Sequence, residues 1–473
     1  MAENAVAAPS KAYEAMLPHW KIINAIRGGT PAMRASTEFL PQEPMEEKSS
    51  YDRRRKKTTL TPWYSRLVAG LIGMILRKPI LLEDGVNEAI ALQLDDLNLQ
   101  GDNLQLLAHD LLETAIDYGY AGIYVDYPDA KNIKTKRDET EAGVRPYWVL
   151  YRADEIIGYR TQMDAGAEIL TQLRVLQTIS EEDGEFEELE TQQVRVYSRD
   201  ENNKVTCRLF RPADPEKPDG DWALHDGPME ISLPYIPCTL LHTSQKKRAS
   251  KTPPMLEVAY LNLKHYQLSS DVDHALHLTM HPKLALFGYD DSSDILGTSD
   301  EALVFTNTDA RAEWLVCRVD SLSFGSDRIS TIEQQMATLG LSTLTNQKNV
   351  GESAEAKRID RSQGNSIMAV TAQNLQNCLN NALKFHADYL GVDPPRCQVN
   401  RDFDIEQITP QMLAAVMGAV SQGRLSTETF HEIIKRGELG LPEDWTPTEE
   451  KERMEAEFSR EAQAIPASIE AGL

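Results

Sequence analysis

Between Pro282 and Pro394 the chain has no proline, so nothing in this stretch forbids long helices. Ser330-Thr331-Ile332-Glu333 reads as a capping box, and Ile332, Met336 and Leu339 recur at spacings of four and three that stack on one helical face. The pattern fades into the polar run Thr345-Asn346-Gln347-Lys348-Asn349 and restarts after Gly351. It continues through Ile367, Thr371, Leu375, Leu379, Ala382, Leu383, His386 and Leu390, and Gly391 followed by Asp393-Pro394-Pro395 stops it. Two long helices facing each other across one short loop are therefore expected over residues 326–390. A helix over residues 352–390 would span roughly 55 to 60 Å. The a/d heptad is not sustained and the apolar face is interrupted, which disfavours a coiled coil or a membrane span and leaves a strut in an assembly. Its middle, Arg361-Ser362-Gln363-Gly364-Asn365-Ser366, is polar and holds a glycine, so a kink or thin packing is expected there.

Charge narrows the function. With 73 acidic against 49 basic residues the formal charge is -24, which repels polyanions at long range and argues against an ordinary nucleic-acid binder. The 41% apolar and 26% charged fractions are those of a folded chain. The five cysteines, 207, 238, 317, 378 and 397, have no short pair spacing and read as buried thiols of a reducing compartment. No signal peptide is expected at the start of the chain. The longest apolar run, residues 67–76 between Arg66 and Arg77-Lys78, is too short to span a bilayer and reads as a core helix.

In chain order, a short helix is expected over residues 13–26, broken by Gly28-Gly29-Thr30-Pro31. The basic run Arg53-Arg54-Arg55-Lys56-Lys57 is either a phosphate-contacting arm or a solvated helix start before Pro62. Helices follow at 62–77, 86–97 and 103–117. Strands are expected at 122–127, 147–151, 155–159, 169–179, 193–197, 205–210 and 236–242, with turn residues that fit an antiparallel meander. The acidic run 181–188 reads as a solvated loop. Residues 103–245 are thus helices packed on a mainly antiparallel sheet, an α+β fold. Thr252-Pro253-Pro254 starts a helix that ends at Pro282. A β-rich insert follows, with strands at 284–287, 302–305 and 314–319, and then the two long helices. The last part is helical at 410–421, at 426–435 from the Ser426-Thr427 cap, and in the charged segment 448–464 only if a neighbour covers it.

Enzymatic patterns are missing from the sequence. Gly28-Gly29-Thr30 lacks the Lys-Ser/Thr of a phosphate loop, and there is no Gly-x-Ser-x-Gly elbow. His274, His277 and His281, joined by His265, Asp271 and Asp273, fall on the helix before Pro282 and could in principle bridge a metal. The glutamate of His-Glu-x-x-His is absent, and an amphipathic helix can simply place histidines at an interface, so no metal and no cofactor are expected.

The middle of the chain resembles bacteriophage portal proteins, in a family known as a domain of unknown function. The resemblance rests on Arg145-Pro146-Tyr147-Trp148 with Glu155-Ile156-Ile157-Gly158-Tyr159, on residues 254–266, on Glu352-Ser353-Ala354-Glu355-Ala356-Lys357-Arg358-Ile359, and on residues 423–429. It covers about residues 60–440 through the order and spacing of these pieces. It implies an N-terminal arm (1–60), a wing (61–252), a first stem helix (253–282), a clip (283–320), a second stem helix (321–343), a tunnel loop (344–351), a long wing helix and return strand (352–408), and a helical crown and tail (409–473).

It further implies a non-enzymatic virion protein, a ring of twelve subunits at one capsid vertex. Its implied partners are the terminase large subunit, a neck or head-completion adaptor, the major capsid and scaffold proteins, and double-stranded DNA in the channel, with no membrane. Twelve copies at -24 each would carry about -290 formal charges and hold DNA weakly, as a sliding channel requires. On that reading Thr345, Asn346, Gln347, Lys348 and Asn349 face DNA, and Asp290, Asp291 and Asp294 form a docking surface on the clip. An intracellular helical scaffold or adaptor, or a metal-dependent enzyme using His274, His277 and His281, are the alternatives.

Overall fold

The computed structural model describes residues 6–83, 85–128, 144–164, 166–183, 186–214, 220–244, 252–280, 283–288, 311–315, 320–341, 354–401 and a few positions beyond 402. Met1–Arg401 form one compact unit and Asp402–Leu473 a second. Ser10 Oγ accepts the Tyr13 amide at 3.3 Å and starts α1 (Lys11–Arg27), and Gly29, at φ +68°, lets α2 (Gly29–Ala35) follow at once. The basic run is not a helix start. It closes α3 (Lys48–Lys57), where cations complement the negative end of the helix dipole.

Next come α4 (Trp63–Ile75), β1 (Leu81–Leu82) and α5 (Glu88–Ala91). The helix expected over 86–97 stops early because the Asp96 and Asn98 side chains take the amides of Gly101 and Gln100, turning the backbone instead. In α6 (Leu104–Tyr118), Asn103 caps the start, Leu104, Leu107, Ala108, Leu111, Leu112 and Ala115 bury one stripe, and left-handed Gly119 ends the helix.

The meander divides into two sheets where one was expected. Strands β2 (Tyr120–Asp126), β3 (Tyr147–Arg152), β4 (Ile156–Asp164), β5 (Ala167–Asp183), β6 (Glu187–Arg199), β7 (Val205–Pro212), β8 (Trp222–Ile231) and β9 (Cys238–His242) pair as a three-stranded sheet, β3-β2-β9, and a five-stranded one, β4-β5-β6-β7-β8. Every pairing is antiparallel. Tyr124 joins the sheets: its ring lies 4.5 Å from Tyr197 and 5.9 Å from Tyr151, whose hydroxyls meet at 2.9 Å. Strand β8 escapes a sequence reading because Pro228 interrupts its pattern, and it is tolerated because β8 is an edge. The acidic run is not a loop either. Residues 181–183 and 187–188 lie in β5 and β6, paired across from each other.

The chain then forms α7 (Leu256–Met280), β10 (Lys283–Phe287), β11 (Arg311–Leu315), α8 (Asp320–Leu341), α9 (Ala354–Leu390) and β12 (Cys397–Gln398), which pairs with β1. The expected strand at 302–305 lies outside the described residues. Helix α9 runs as one helix through the polar stretch 361–366, and from Met368 onward it buries Thr371, Leu375, Leu379, Leu383 and His386 against β2 and β9. Among the described residues the two long helices are not packed along each other: α8 runs along α7. Of the expected stripe, Ile332 and Met336 are buried while Leu339 is exposed, and Gly340 meets Leu67 so closely that a Cβ there would sit 2.4 Å from its Cδ1. No helix among the described residues is long and apolar enough to cross a membrane.

In the second unit, residues 416–420 are helical, and Ser426 accepts the Thr429 amide through Oγ and the Phe430 amide through its carbonyl. That is the geometry of the cap expected there.

Candidate assembly surface

The elements that set this chain apart from an ordinary α+β domain are α7, the β10–β11 hairpin and α8, a limb rooted in the body. Its root is held by polar side chains of α7. Asn262 uses both ends of its amide, accepting from the Tyr64 amide at 3.0 Å and donating to the Thr61 carbonyl at 3.0 Å. One turn on, His265 Nε2 faces Glu333 of α8 at 3.2 Å. Ser270 receives Thr58 Oγ1 at 2.8 Å and lies 3.3 Å from Arg54 Nη1, and Arg54 is forked onto Glu46 at 2.7 and 2.8 Å. The hydrogen bond to Glu46 raises the Arg54 pKa, and the same bond lowers that of Glu46. Asp271, 3.4 Å from Arg54, is pushed up by burial, with Arg54 opposing. Buried charge is thus paired at the root.

Past Asp271 the character changes. Where α8 begins, Gly325 sits so close to α7 that a Cβ would lie 2.6 Å from Val272 Cγ2, so the two helices touch nearly backbone to side chain there. Around and beyond this crossing apolar side chains face outward: Leu276 and Met280 on α7, and Phe324 on α8, 75% exposed. The hairpin continues the trend. Leu284 and Trp314 stand directly opposite on one face, with Trp314 61% exposed, and on the other face Phe287 lies under the Arg311 guanidinium at 5.0 Å. Among the described residues β10 and β11 pair only with each other, and two strands by themselves are marginal in water. Large apolar side chains left outside together along one limb are what a surface covered by other protein looks like.

The limb also carries the histidines and aspartates singled out as metal candidates in the sequence. His265 is turned to Glu333 and Ser269, Asp271 to Arg54, and His281 lies outside the described residues. Among the described residues one group brings three ligand atoms together, His109, Asp110 and Glu113 on α6. Its Glu113 is 3.0 Å from Arg27, and a cation already sits where a metal would compete. Thr345, Asn346, Gln347, Lys348 and Asn349, and Asp290, Asp291 and Asp294, all lie outside the described residues.

Sequence reading missed two kinds of residue here. The glycines that permit the helix contacts, Gly325 and Gly340, carry a signal, since an isolated glycine inside a helical pattern points to close packing. The outward-facing Leu284, Phe287 and Trp314 carry none, because alternation in a strand does not say which side is covered.

A protein-family model described as "Domain of unknown function (DUF4055)" matches residues 254–390, from the start of α7 to the end of α9. No curated protein matches the chain. Among solved structures, a chain of the neck of an empty GTA particle, computed with C6 symmetry, is similar at TM-score 0.43 and 13% identity, over 85% of this chain and 96% of that one. A chain from the virion of a native gene transfer agent particle is similar at TM-score 0.39 and 11% identity, over 89% and 99%.

Proposed function

We propose that this protein is a portal-type structural subunit, one of a ring of twelve at a phage capsid vertex, which conducts DNA and performs no chemistry on it. The observation that carries the reading is the limb: two helices clamped at their root by Asn262, His265 and Ser270, bearing a hairpin whose Trp314, Leu284 and Phe287 are uncovered. Such a limb is costly for a monomer and is accounted for when neighbours cover it. The order α7, hairpin, α8, α9 supports the same reading, as does the sequence resemblance to phage portals.

On this proposal α7 and α8 are the stem and β10–β11 belongs to the clip, whose Asp290, Asp291 and Asp294 meet terminase during packaging and a neck adaptor afterwards. Residues 345–349, with Lys348 as their one cation, touch DNA in a channel that the acidic chain otherwise makes weakly adhesive.

The test is the solution mass of the purified protein by light scattering, followed by electron-microscope class averages of the same peak. A species near twelve times 53.1 kDa with a central hole is expected. A monomer that stays monomeric at high concentration, also in the presence of capsid scaffold, would overturn the reading.

A further inference from the structure

A ring closes on heterologous contacts, so each subunit must offer two different faces. Two surfaces of opposite charge on this chain fit each other. The first is the free end of β5–β6. Strand β4 pairs with β5 up to Val175 and β7 with β6 up to Val194, so among the described residues no third strand pairs with the ribbon from Gln177–Gln193 outward. Thr191 and Gln193 are still buried, so the uncovered part of the ribbon is its tip, beyond the Ile179–Thr191 pair, and a two-stranded ribbon left to itself is marginal in water. Over residues 187–190 consecutive side chains are all exposed, so neither face of the tip is covered. Glu182 stands directly opposite Glu188, an unfavourable pairing. Ser180 donates to Glu188 and Arg211 reaches Glu181, while Phe186 at the turn is 87% exposed.

The second surface is the end of α3. Arg54 points inward to Glu46 and Asp271, and Arg55 leans on Asp52. Arg53, Lys56 and Lys57 are exposed, and no ion pair among the described residues involves them. Met45, 97% exposed, precedes the Glu46 that Arg54 holds at 2.7 Å, which fixes this loop against α3. No ion pair among the described residues joins the ribbon tip to α3 of the same chain, so the acidic surface is available to another copy.

We propose, resting on the ring reading for its geometry, that the ribbon tip (Glu182, Glu187, Glu188 and Phe186) docks on Arg53, Lys56, Lys57 and Met45 of a second copy of this chain. The carboxylates meet the cations, and Phe186 packs on the Met45 thioether, a favourable sulfur–aromatic contact. The ion pairs set register and partner choice, and the apolar pair is the anchor.

The experiment mixes two full-length chains under mild oxidation, one carrying Phe186→Cys and the other Met45→Cys, with each single variant alone as control. A cross-linked pair is expected in the mixture and not in the controls. Glu187→Lys with Glu188→Lys on the first chain should lower its yield about tenfold. Adding Arg53→Glu with Lys56→Glu on the second should restore it, which also shows that the reversed chains still fold. No cross-link in the mixture, or no rescue by the double reversal, overturns the proposal. So does an Arg53→Glu/Lys56→Glu chain that loses affinity for duplex DNA while cross-linking as before. Light scattering of the parent protein separates the two readings: full rings without this cross-link sink the contact alone, and cross-linked pairs from a chain that never forms rings sink the ring alone.

Discussion

The body and the limb of the first unit treat their apolar and charged groups in opposite ways. In the body, Trp20 is buried, donates its Nε1 to the Tyr118 carbonyl at 3.0 Å and stands edge-on to Tyr13 and Tyr118. Nearby charge is closed off: Arg27 forks onto Asp117 at 2.7 and 2.9 Å, and the Tyr64 hydroxyl donates to the same carboxylate at 2.9 Å. Burial raises the Asp117 pKa and Arg27 opposes it. In the limb the largest side chain, Trp314, looks outward. The body is folded by its own contacts, whereas the limb is preorganised at its root and leaves apolar side chains uncovered on its outer half.

The sharpest way to break this comparison is Trp20→Ala. Removing a buried indole and orphaning the Tyr118 carbonyl should cost about 3–5 kcal/mol, read as a lower urea midpoint of the monomer. A cost below about 1 kcal/mol would mean that the body is not the stability core.

The next test uses pH. His386 is buried on α9 with its Nε2 2.8 Å from Gln93 Oε1, and burial, with Arg145 second, lowers its pKa to about 4 from 6.5. The folded value lies below the unfolded one, so as pH falls the unfolded chain takes up the proton first. Stability is therefore whole above pH 6.5 and is lost between there and pH 4, by about 3 kcal/mol in all. Urea midpoints at about pH 7.5 and about pH 5 should differ accordingly, and His386→Gln should flatten the difference. An unchanged slope in that variant would assign the pH dependence elsewhere.

The smallest effect on stability is expected at the limb. Trp314→Ala should leave the monomer within about 0.5 kcal/mol of the parent and yet weaken self-association in sedimentation velocity. A large stability loss with unchanged association would turn Trp314 into a core residue and erase the contrast.

Much of this was legible beforehand, for reasons that are local. Spacing on α6, α7 and α9, the cap at Ser426, the stop at Gly391 and the strand signals of β2, β3 and β7 depend on residues a few positions apart. Where expectation and structure part, a distant partner decided. The acidic run became strand because the 17 residues of β5 found β6 across the turn. Arg54, one of five consecutive basic residues, is buried because Glu46, Ser270 and Asp271 converge on it from other segments.

By itself, then, the sequence determined that the chain is α+β, that the region after Pro282 ends in a long helix stopped at Gly391, and that the whole is strongly acidic. The tertiary structure alone decided that the strands split into two sheets, that α8 lies on α7 instead of on α9, and that Trp314 faces out while Trp20 faces in. The physical reason is that periodicity fixes which residues share a face, whereas the identity of the neighbour on that face is settled by long-range packing, here by gaps only Gly325 and Gly340 leave open.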